Sequence, residues 1–441
     1  MTDVAAQASA SPSEAWPDVD VAVVGGGLIG ATAALAASRL GFEVAVIDRA
    51  APALAPGRFG MDIRNVAVSP ASRAVLETAG VWQALEATAY RRMQVWEERG
   101  TAMMTFDAAE VQRAELGWIL ENGPAVAALW QCLQEAPRAA VRLGALEALE
   151  TGPDAVTLTV AAPPVADSGS AGSASGLAPA GAAADARREG PLRLRARLVI
   201  AADGARSRVR ELLGVAVSRS ALRDVALATL VRTERGHDGV AYQRFLRDGP
   251  LALLPSARPD ISSVVWSQAP AVAARRAELD DAAFCAEIGR ACEQCLGPVL
   301  EADRRLSFPL QQALVARFDP HPRVLLIGDA ARVLHPLAGL GANVGFEDVR
   351  ELLAVLGSVG PGADPGSAGL WRGFARRRRA RARFMQDLMA GLRRAYALDN
   401  PLLQFIRNTG VDLLNRTAPI KRQIIVEAMG LGPLAGQRAG R

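Results

Sequence analysis

The 441-residue chain has only four cysteines and three histidines, and its formal net charge is just +4. So few cysteines exclude a disulfide-stapled scaffold and point to a reducing compartment. A charge this close to balance excludes a polycation of the nucleic-acid-binding kind. No Lys or Arg precedes Arg39, so the uncharged stretch 21–38 lacks the basic flank of a signal peptide. Its four glycines also argue against a membrane span. A soluble, cytoplasmic protein is expected. No internal repeat is present. Residues 161–190 contain no aromatic side chain and consist largely of Ala, Gly, Ser and Pro. Such a segment cannot bury enough apolar surface to order itself, so it reads as a flexible loop inserted between two strands.

Half of the residues are hydrophobic and 22% are charged, a globular composition with enough chain for two or three domains. Basic charge is concentrated between Arg372 and Arg394, where nine arginines face one acid, Asp387. The simplest reading of this block is a solvated helix face; an anionic membrane, an acidic partner or a nucleic acid are the alternatives. At the other end, Asp20–Val24 reads as a short buried strand, Ala31–Leu40 as a helix and Phe42–Ile47 as a second buried strand, a βαβ rhythm. A Gly/Pro/Ser-rich break at Gly357–Ser367 sets off a helical C-terminal region.

Between the first strand and the helix lies Gly25-Gly26-Gly27-Leu28-Ile29-Gly30, a G-x-G-x-x-G in the right context. Gly25 permits a tight turn, Gly27 lets backbone approach a pyrophosphate, and Gly30 allows helix and strand to pack closely. The helix N-terminus supplies N–H groups and the positive end of a dipole. Asp48 ends the second strand, where a carboxylate binds a ribose hydroxyl. The motif alone does not distinguish FAD from NAD.

Two later segments are strands that run into loops with a carboxylate at the carboxyl end, where open α/β sheets bind ligands. One is Leu198–Ala202 followed by Asp203-Gly204; the other is Leu325–Ile327 followed by Gly328-Asp329 and then by 335–343. Singly, Asp-Gly after a strand is an ordinary turn. Together the three segments resemble the dinucleotide, Asp-Gly and Gly-Asp motifs of FAD-dependent aromatic monooxygenases with the para-hydroxybenzoate hydroxylase fold. Within that group the chain resembles the ubiquinone-biosynthesis hydroxylase family, from about residue 18 to the C-terminus apart from 161–190. Asp62–Ser69, Glu121-Asn122 with Ala128–Trp130, Ala241–Phe245 with Gly249–Pro255, and Arg407-Asn408 with Ala418–Lys421 add to the likeness. The chain departs from the family's pattern at Leu340, where Gln is usual, and at Gly123 and Val126, where Arg and Gln are usual.

The resemblance implies an α/β fold: a Rossmann-like FAD-binding domain with an inserted β-sheet substrate domain and a helical C-terminal region. The FAD-binding part would be discontinuous, from 18–90, 126–215 and 310–360. The substrate domain would come from 91–125 and 216–309, and 361–441 would be the helical region. Gly25, Gly27 and Gly30 would hold the pyrophosphate and Asp48 the adenosine ribose. Asp329, after Gly328, would accept a ribityl hydroxyl. Pro336 through Asn343, including Gly339, Gly341 and Ala342, would lie along the flavin ring, with a helix beginning near Ala342 aiming its dipole at it. Asp203 and Gly204 would organise the strand end serving FAD and nicotinamide. Arg64 reads either as a flavin or substrate contact or as a surface salt bridge. His335 reads as a loop-ordering residue, because the flavin carries the chemistry. His237 and His321 read as structural. Cys285, Cys292 and Cys295, near one face of a helix, read as core residues rather than zinc ligands.

The implied reaction is hydroxylation of an aromatic ring, that of a prenylated phenol, through a flavin C4a-hydroperoxide formed with molecular oxygen after reduction by NADH or NADPH. No metal and no nucleic acid enter it. A peripheral contact with the inner membrane or with a quinone-synthesis complex is also implied. The rival readings are a non-catalytic flavin-binding scaffold of such a complex, a halogenase or a prenyl reductase. The halogenase lacks support because its Trp-x-Trp-x-Ile-Pro motif is absent.

Overall fold

The computed structural model describes residues 18–98, 103–161, 191–334, 340–397 and 417–432. The expected loop therefore lies outside the described residues from 162 to 190. Its two flanking strands, Val156–Val160 and Leu192–Ala201, are antiparallel neighbours with Val160 opposite Leu192.

Among the described residues the strands form three sheets. In the first, Val19–Val24 lies between Val44–Asp48 and Leu192–Ala201, all parallel. Ala139–Leu143 continues the sheet beyond Val44–Asp48, and Val324–Leu326 pairs in parallel with Leu192–Ala201. These strands are near-continuous apolar runs because both faces are covered. The helix Leu28–Arg39 covers one face, packed against the helices Asn122–Glu135 and Leu340–Val359. Its alanines 31, 33, 34, 36 and 37 are all buried, so it is apolar nearly all round. It begins earlier than the expected Ala31. Gly27 is its N-cap, and the Ala31 N–H donates to the Gly27 carbonyl at 2.9 Å to close the first turn.

The second sheet is built around the long strand Val217–Thr233, which pairs antiparallel with Ile261–Gln268 on one side and Leu306–Val315 on the other. Beyond Ile261–Gln268 come Gly249–Pro255, Val240–Leu246, Arg92–Glu97 and Met103–Asp107. Phe284 and Ile288 of the helix Asp281–Ala291 pack on one face with Leu227, Leu253, Val264 and Trp266. The third sheet is formed by Asn65–Val68, Gly117–Glu121 and Ala87–Tyr90, with Gly117–Glu121 in the middle and both neighbours antiparallel to it.

The arginine block forms the helix Arg372–Ala397, and it is only in part the solvated face expected of it: Arg372, Arg376, Arg377 and Arg383 are exposed, whereas Arg378 and Arg381 turn inward. Arg378 is only 3% exposed. Its Nε donates to Asp348 Oδ1 at 2.6 Å, and its terminal nitrogens reach Glu347 Oε2 at 3.1 Å. Arg381 joins the same Glu347, and Arg377 pairs with Glu351 on the flank. The physical reason is complementary spacing: Glu347, Asp348 and Glu351 line one side of Leu340–Val359, and the arginines follow them. Desolvation alone would weaken the Arg378 charge, but Asp348 and Glu347 outweigh it and hold the guanidinium above its ordinary range.

Asp348 is fully buried and also accepts from Arg332 Nη1 at 2.6 Å and from the Gly328 N–H at 2.9 Å. It thus ties the C-terminal helix, the edge of the second sheet and the Gly-Asp turn into one junction. Replacing Asp348 by Ala leaves the buried Arg332 without its carboxylate and Arg378 with Glu347 alone, and is expected to cost about 3–5 kcal/mol in denaturant unfolding. Arg377→Ala, which breaks a pair at the surface, is expected to cost less than about 1 kcal/mol in the same measurement.

Candidate active site

The carboxyl ends of four parallel strands lie side by side: Val24 is in register with Ile47 and Ala201, and Ala201 with Leu326. Gly25 leaves the first of these with φ +101°, and a Cβ there would meet the Ala202 carbonyl oxygen at 2.5 Å. A Cβ on Gly30 would lie 1.9 Å from the Gly25 carbonyl oxygen, whereas one on Gly27 would meet nothing within 4 Å. Backbone space is therefore filled by the protein at Gly25 and Gly30 and left open at Gly27. No side chain caps the helix there, so nothing competes for the N–H groups of its first turn. Asp48 Oδ2 accepts from the Gly26 N–H at 2.6 Å. Trp130, buried in Asn122–Glu135, donates its Nε1–H to the Gly26 carbonyl at 2.7 Å. The turn is held from both sides. Trp130 entered the sequence reading only as part of a family likeness, and nothing local in the sequence signals its contact.

Asp203 follows Leu192–Ala201. Its Oδ2 accepts from the Arg208 and Val209 N–H groups at 2.7 and 3.1 Å, ordering the turn into the helix Arg208–Leu212. Its Oδ1 is buried without a partner, and Gly204 turns with φ +80°. At the neighbouring strand end Gly328 takes φ +56°, which lets its N–H reach Asp348. Asp329 opens to solvent in a recess of the protein. Desolvation there pushes its carboxyl up, Arg332 opposes and Asp348 adds to the rise. An uncapped helix turn, a pair of strand-end carboxylates and a buried oxygen in need of a donor fit an adenine dinucleotide with a ribityl chain. His335, Pro336 and Gly339 lie outside the described residues. The helix after them runs from Leu340 to Val359, with Gly341, Ala342 and Asn343 in its first turn. The Asn343 side chain is engaged inside the protein: Oδ1 accepts from the Ser69 N–H at 2.9 Å and from Ser72 Oγ at 2.7 Å, and Nδ2 donates to the Ala67 carbonyl at 2.8 Å. Any contact of Asn343 with a flavin would therefore come from its backbone.

Arg64 is 54% exposed at its side chain and pairs with Asp62 at 3.4 Å. Asp62 is buried and also accepts from the Gly123 N–H at 2.8 Å, while its own N–H donates to Glu121 Oε2 at 2.7 Å. A Cβ at position 123 would stand 2.8 Å from Asp62 Oδ2, so the glycine that departs from the family pattern allows this approach. Burial, first of several causes, raises the Glu121 carboxyl. His237 uses both ring nitrogens within its own loop, toward the Ser256 and Arg258 carbonyls and the Gly239 N–H. His321 accepts from the Arg323 N–H at 3.3 Å. The three cysteines do not share a helix face. Their helix ends at Ala291, Cys292 caps it, and Glu293 and Gln294 take left-handed φ values of 54° and 50° before Cys295. Cys285 and Cys292 are buried among Phe284, Ile288 and Leu296.

A cavity of about 170 Å³ opens between the second and third sheets, walled by Tyr90, Met93, Gln243, Leu254, Val265 and Phe308 among others. Ala67 belongs to the same wall, so the Asn343 bond joins the cavity to the first turn of the helix Leu340–Val359. Burial pushes the Tyr90 phenol up to about 12, keeping it protonated and able to donate.

Comparison with known proteins agrees with this arrangement. A family described as "FAD dependent oxidoreductase" matches residues 20–161, and one described as "FAD binding domain" matches 178–388. The crystal structure of p-nitrophenol 4-monooxygenase PnpA from Pseudomonas putida DLL-E4 superposes with a TM-score of 0.72 at 21% identity, over 94% of this chain and 98% of that one, which shows the shared fold. The chain is 33% identical to 3-demethoxyubiquinol 3-hydroxylase of Escherichia coli, over 93% of this chain and 98% of the relative. It is 31% identical to ubiquinone hydroxylase UbiL of Rhodospirillum rubrum, over 94% and 91%. The human ubiquinone biosynthesis monooxygenase COQ6, mitochondrial, is 29% identical over 93% and 92%. The fold and the relatives are those of an oxygen-dependent flavoprotein hydroxylase. Within that class, the chain belongs to the ubiquinone-biosynthesis hydroxylase family of FAD-dependent aromatic monooxygenases.

Two predictions follow from the site's geometry. Gly27→Ala has room, so folding is expected to be unchanged, while FAD affinity falls about ten- to a hundredfold through one obstructed phosphate contact. Gly30→Ala has none and is expected to lower both FAD affinity and the thermal midpoint; flavin fluorescence and calorimetry separate the two. For Tyr90, burial favours the neutral phenol, so the unfolded chain ionises first, from the ordinary value of 10. Stability is therefore expected to fall as pH rises from 10 toward about 12, and Tyr90→Phe to blunt that fall and remove the last phenolate transition in an absorbance titration.

Proposed function

We propose that this hydroxylase adds one oxygen atom to the ring of a prenylated phenol on the route to ubiquinone, with NADH or NADPH as reductant. The observation that carries the proposal is the mainly apolar cavity joined through Ala67 and Asn343 to the first turn of the helix Leu340–Val359. A cavity of about 150 Å³ suffices for benzene, so one of about 170 Å³ takes a substituted ring and an isoprenoid tail must leave through its mouth. The names of the related ubiquinone hydroxylases support the same substrate class.

Bound FAD, once reduced, supplies the activated oxygen. The chain's own residues bind and shield. In this reading Gly25, Gly27 and Gly30 with the helix N-terminus hold the pyrophosphate, Asp48 the ribose and Asp329 the ribityl chain. Asp203 and Gly204 shape the strand end between them. The first turn of Leu340–Val359, with Gly341 and Ala342, turns the positive end of a 20-residue helix toward the flavin ring, where negative charge is favoured. Met93, Leu254, Val265 and Phe308 exclude water, so that activated oxygen goes to the ring rather than to hydrogen peroxide. The division proposed for the chain is a discontinuous FAD part (18–90, 126–215 and 310–360), a substrate part (91–125 and 216–309) and a C-terminal helical region.

Contact with an anionic membrane surface completes the reading. No helix among the described residues is long and apolar enough to cross a membrane. Phe384 and Leu388, one turn apart on the arginine-rich helix, are exposed, as are Ile420 and Ile424 beside Lys421 and Arg422. Exposed apolar side chains among basic ones suit an interface where a prenylated substrate resides.

The test is anaerobic reduction of the holoenzyme by NADH or NADPH with and without a geranylated phenol, followed by exposure to labelled O₂. The phenol is expected to hasten flavin bleaching, and the product to carry one labelled oxygen. Bleaching that yields only hydrogen peroxide, with the phenol returned unchanged, would refute the substrate class.

A further inference from the structure

Gln243 lies in the middle of Val240–Leu246, with Ala252 opposite on one neighbouring strand and Val95 on the other. Alternation along the strand separates it from the residues on either side. Arg244 turns to the helix layer, where it reaches the Ala291 carbonyl at 2.8 Å and Glu293, and Tyr242 packs edge-on against Trp96 on that side. Gln243 faces the other way and lines the cavity, to whose lining Tyr242 also contributes. It is 4% exposed, and its Oε1 is buried without a hydrogen-bond partner. No group of the cavity wall bonds it: Asn65 is spent on the Asp62 and Ile63 carbonyls, Tyr90, Tyr242 and Ser267 make no hydrogen bond to it, and Ala252, Leu254 and Val265 are apolar. A buried amide oxygen left unpaired costs about 1–3 kcal/mol, a penalty a ligand donor would remove.

We infer that Gln243 is the group that recognises the substrate's free phenol hydroxyl, accepting its hydrogen bond at Oε1 and so choosing phenols over their alkyl ethers and orienting the ring in the cavity. The inference rests on the proposed reading of this cavity as a phenol site and adds the residue that sets its selectivity. An O–H donor satisfies the amide oxygen. A methoxy oxygen in the same place has no proton to give and would leave Oε1 as bare as before. The bond also leaves more electron density on the phenol oxygen, and through it on the ring carbons ortho and para to it, which favours attack on an electrophilic oxygen. No proton need leave the substrate for this to operate.

The experiment uses FAD-loaded protein and two probes, a geranylated phenol and the methyl ether of the same compound, titrated by the perturbation of flavin absorbance. The wild type is expected to prefer the phenol by about ten- to a hundredfold, the equivalent of one satisfied buried acceptor. Gln243→Leu is expected to lose that preference by weakening the phenol alone, with the ether's affinity and the retained FAD unchanged. Gln243→Glu, which keeps an acceptor oxygen at the same reach, is expected to restore the preference. A preference that survives in Gln243→Leu with full flavin overturns the role given to the amide while leaving the phenol site standing. A wild type that binds neither probe overturns the phenol site itself, and the role of Gln243 with it.

Discussion

Backbone must pass within contact distance of backbone where the first strand turns into the first helix. Gly25 lies against Ala202 and Gly30 lies against Gly25, with no volume for a side chain at either place. This closeness brings the helix N-terminus over the carboxyl ends of the neighbouring strands. Asp48 on one side and Trp130 on the other then hold Gly26 in place through its N–H and its carbonyl. Remove the closeness and the helix must stand off from the sheet, taking its dipole and its free N–H groups with it. Everything else in the dinucleotide part is arranged around that crossing.

Asp348 plays the corresponding part at the other end of the site. One carboxylate orients the Gly328 N–H, and so the Gly-Asp turn, while neutralising Arg332 and Arg378. A buried ion cluster of this kind adds little net stability compared with an apolar core, because desolvation offsets the attraction. What it supplies is position. The pairing of Arg378 with Asp348 sets the register of the arginine-rich helix, and the same carboxylate fixes the Gly328-Asp329 strand end.

The sequence made the first crossing legible because glycine is the residue that such contacts demand, and the motif's spacing states which backbone atoms meet. The strand-end carboxylates were legible for the same reason, since Asp48, Asp203 and Asp329 each follow an apolar run. The arginine block was legible only in part: Arg372, Arg376, Arg377 and Arg383 are exposed as a charged face should be, but charge counts carry no information about the acids on a distant helix, and only the fold brings Glu347 and Asp348 beneath Arg378 and Arg381. Trp130 and Gln243 were invisible as individuals. Each looks like an ordinary member of its element, and its role depends on a partner more than a hundred residues away or on a cavity formed by two sheets. The cysteines failed as a helix face because the turn at Glu293 and Gln294 depends on left-handed backbone at non-glycine residues, which sequence patterns do not announce.

Two of the buried polar atoms that lack a partner lie at the site. Asp203 Oδ1 is a buried acceptor without a donor at one strand end, and Asp329 is a carboxyl held above its ordinary range at the next. Gln243 Oε1 is another buried acceptor on the cavity wall. Each lowers the stability of the protein without its ligands, and each is relieved by a donor of the kind FAD or a phenol carries. Folding and binding are therefore linked: a ligand that binds only the folded chain at a hundred times its dissociation constant adds about 2.7 kcal/mol, comparable to the cost of one such buried group. A hydroxylase gains from this arrangement. Groups already desolvated and aimed need no reorganisation when cofactor and substrate arrive, so the strain carried by the free protein becomes selectivity in the loaded one.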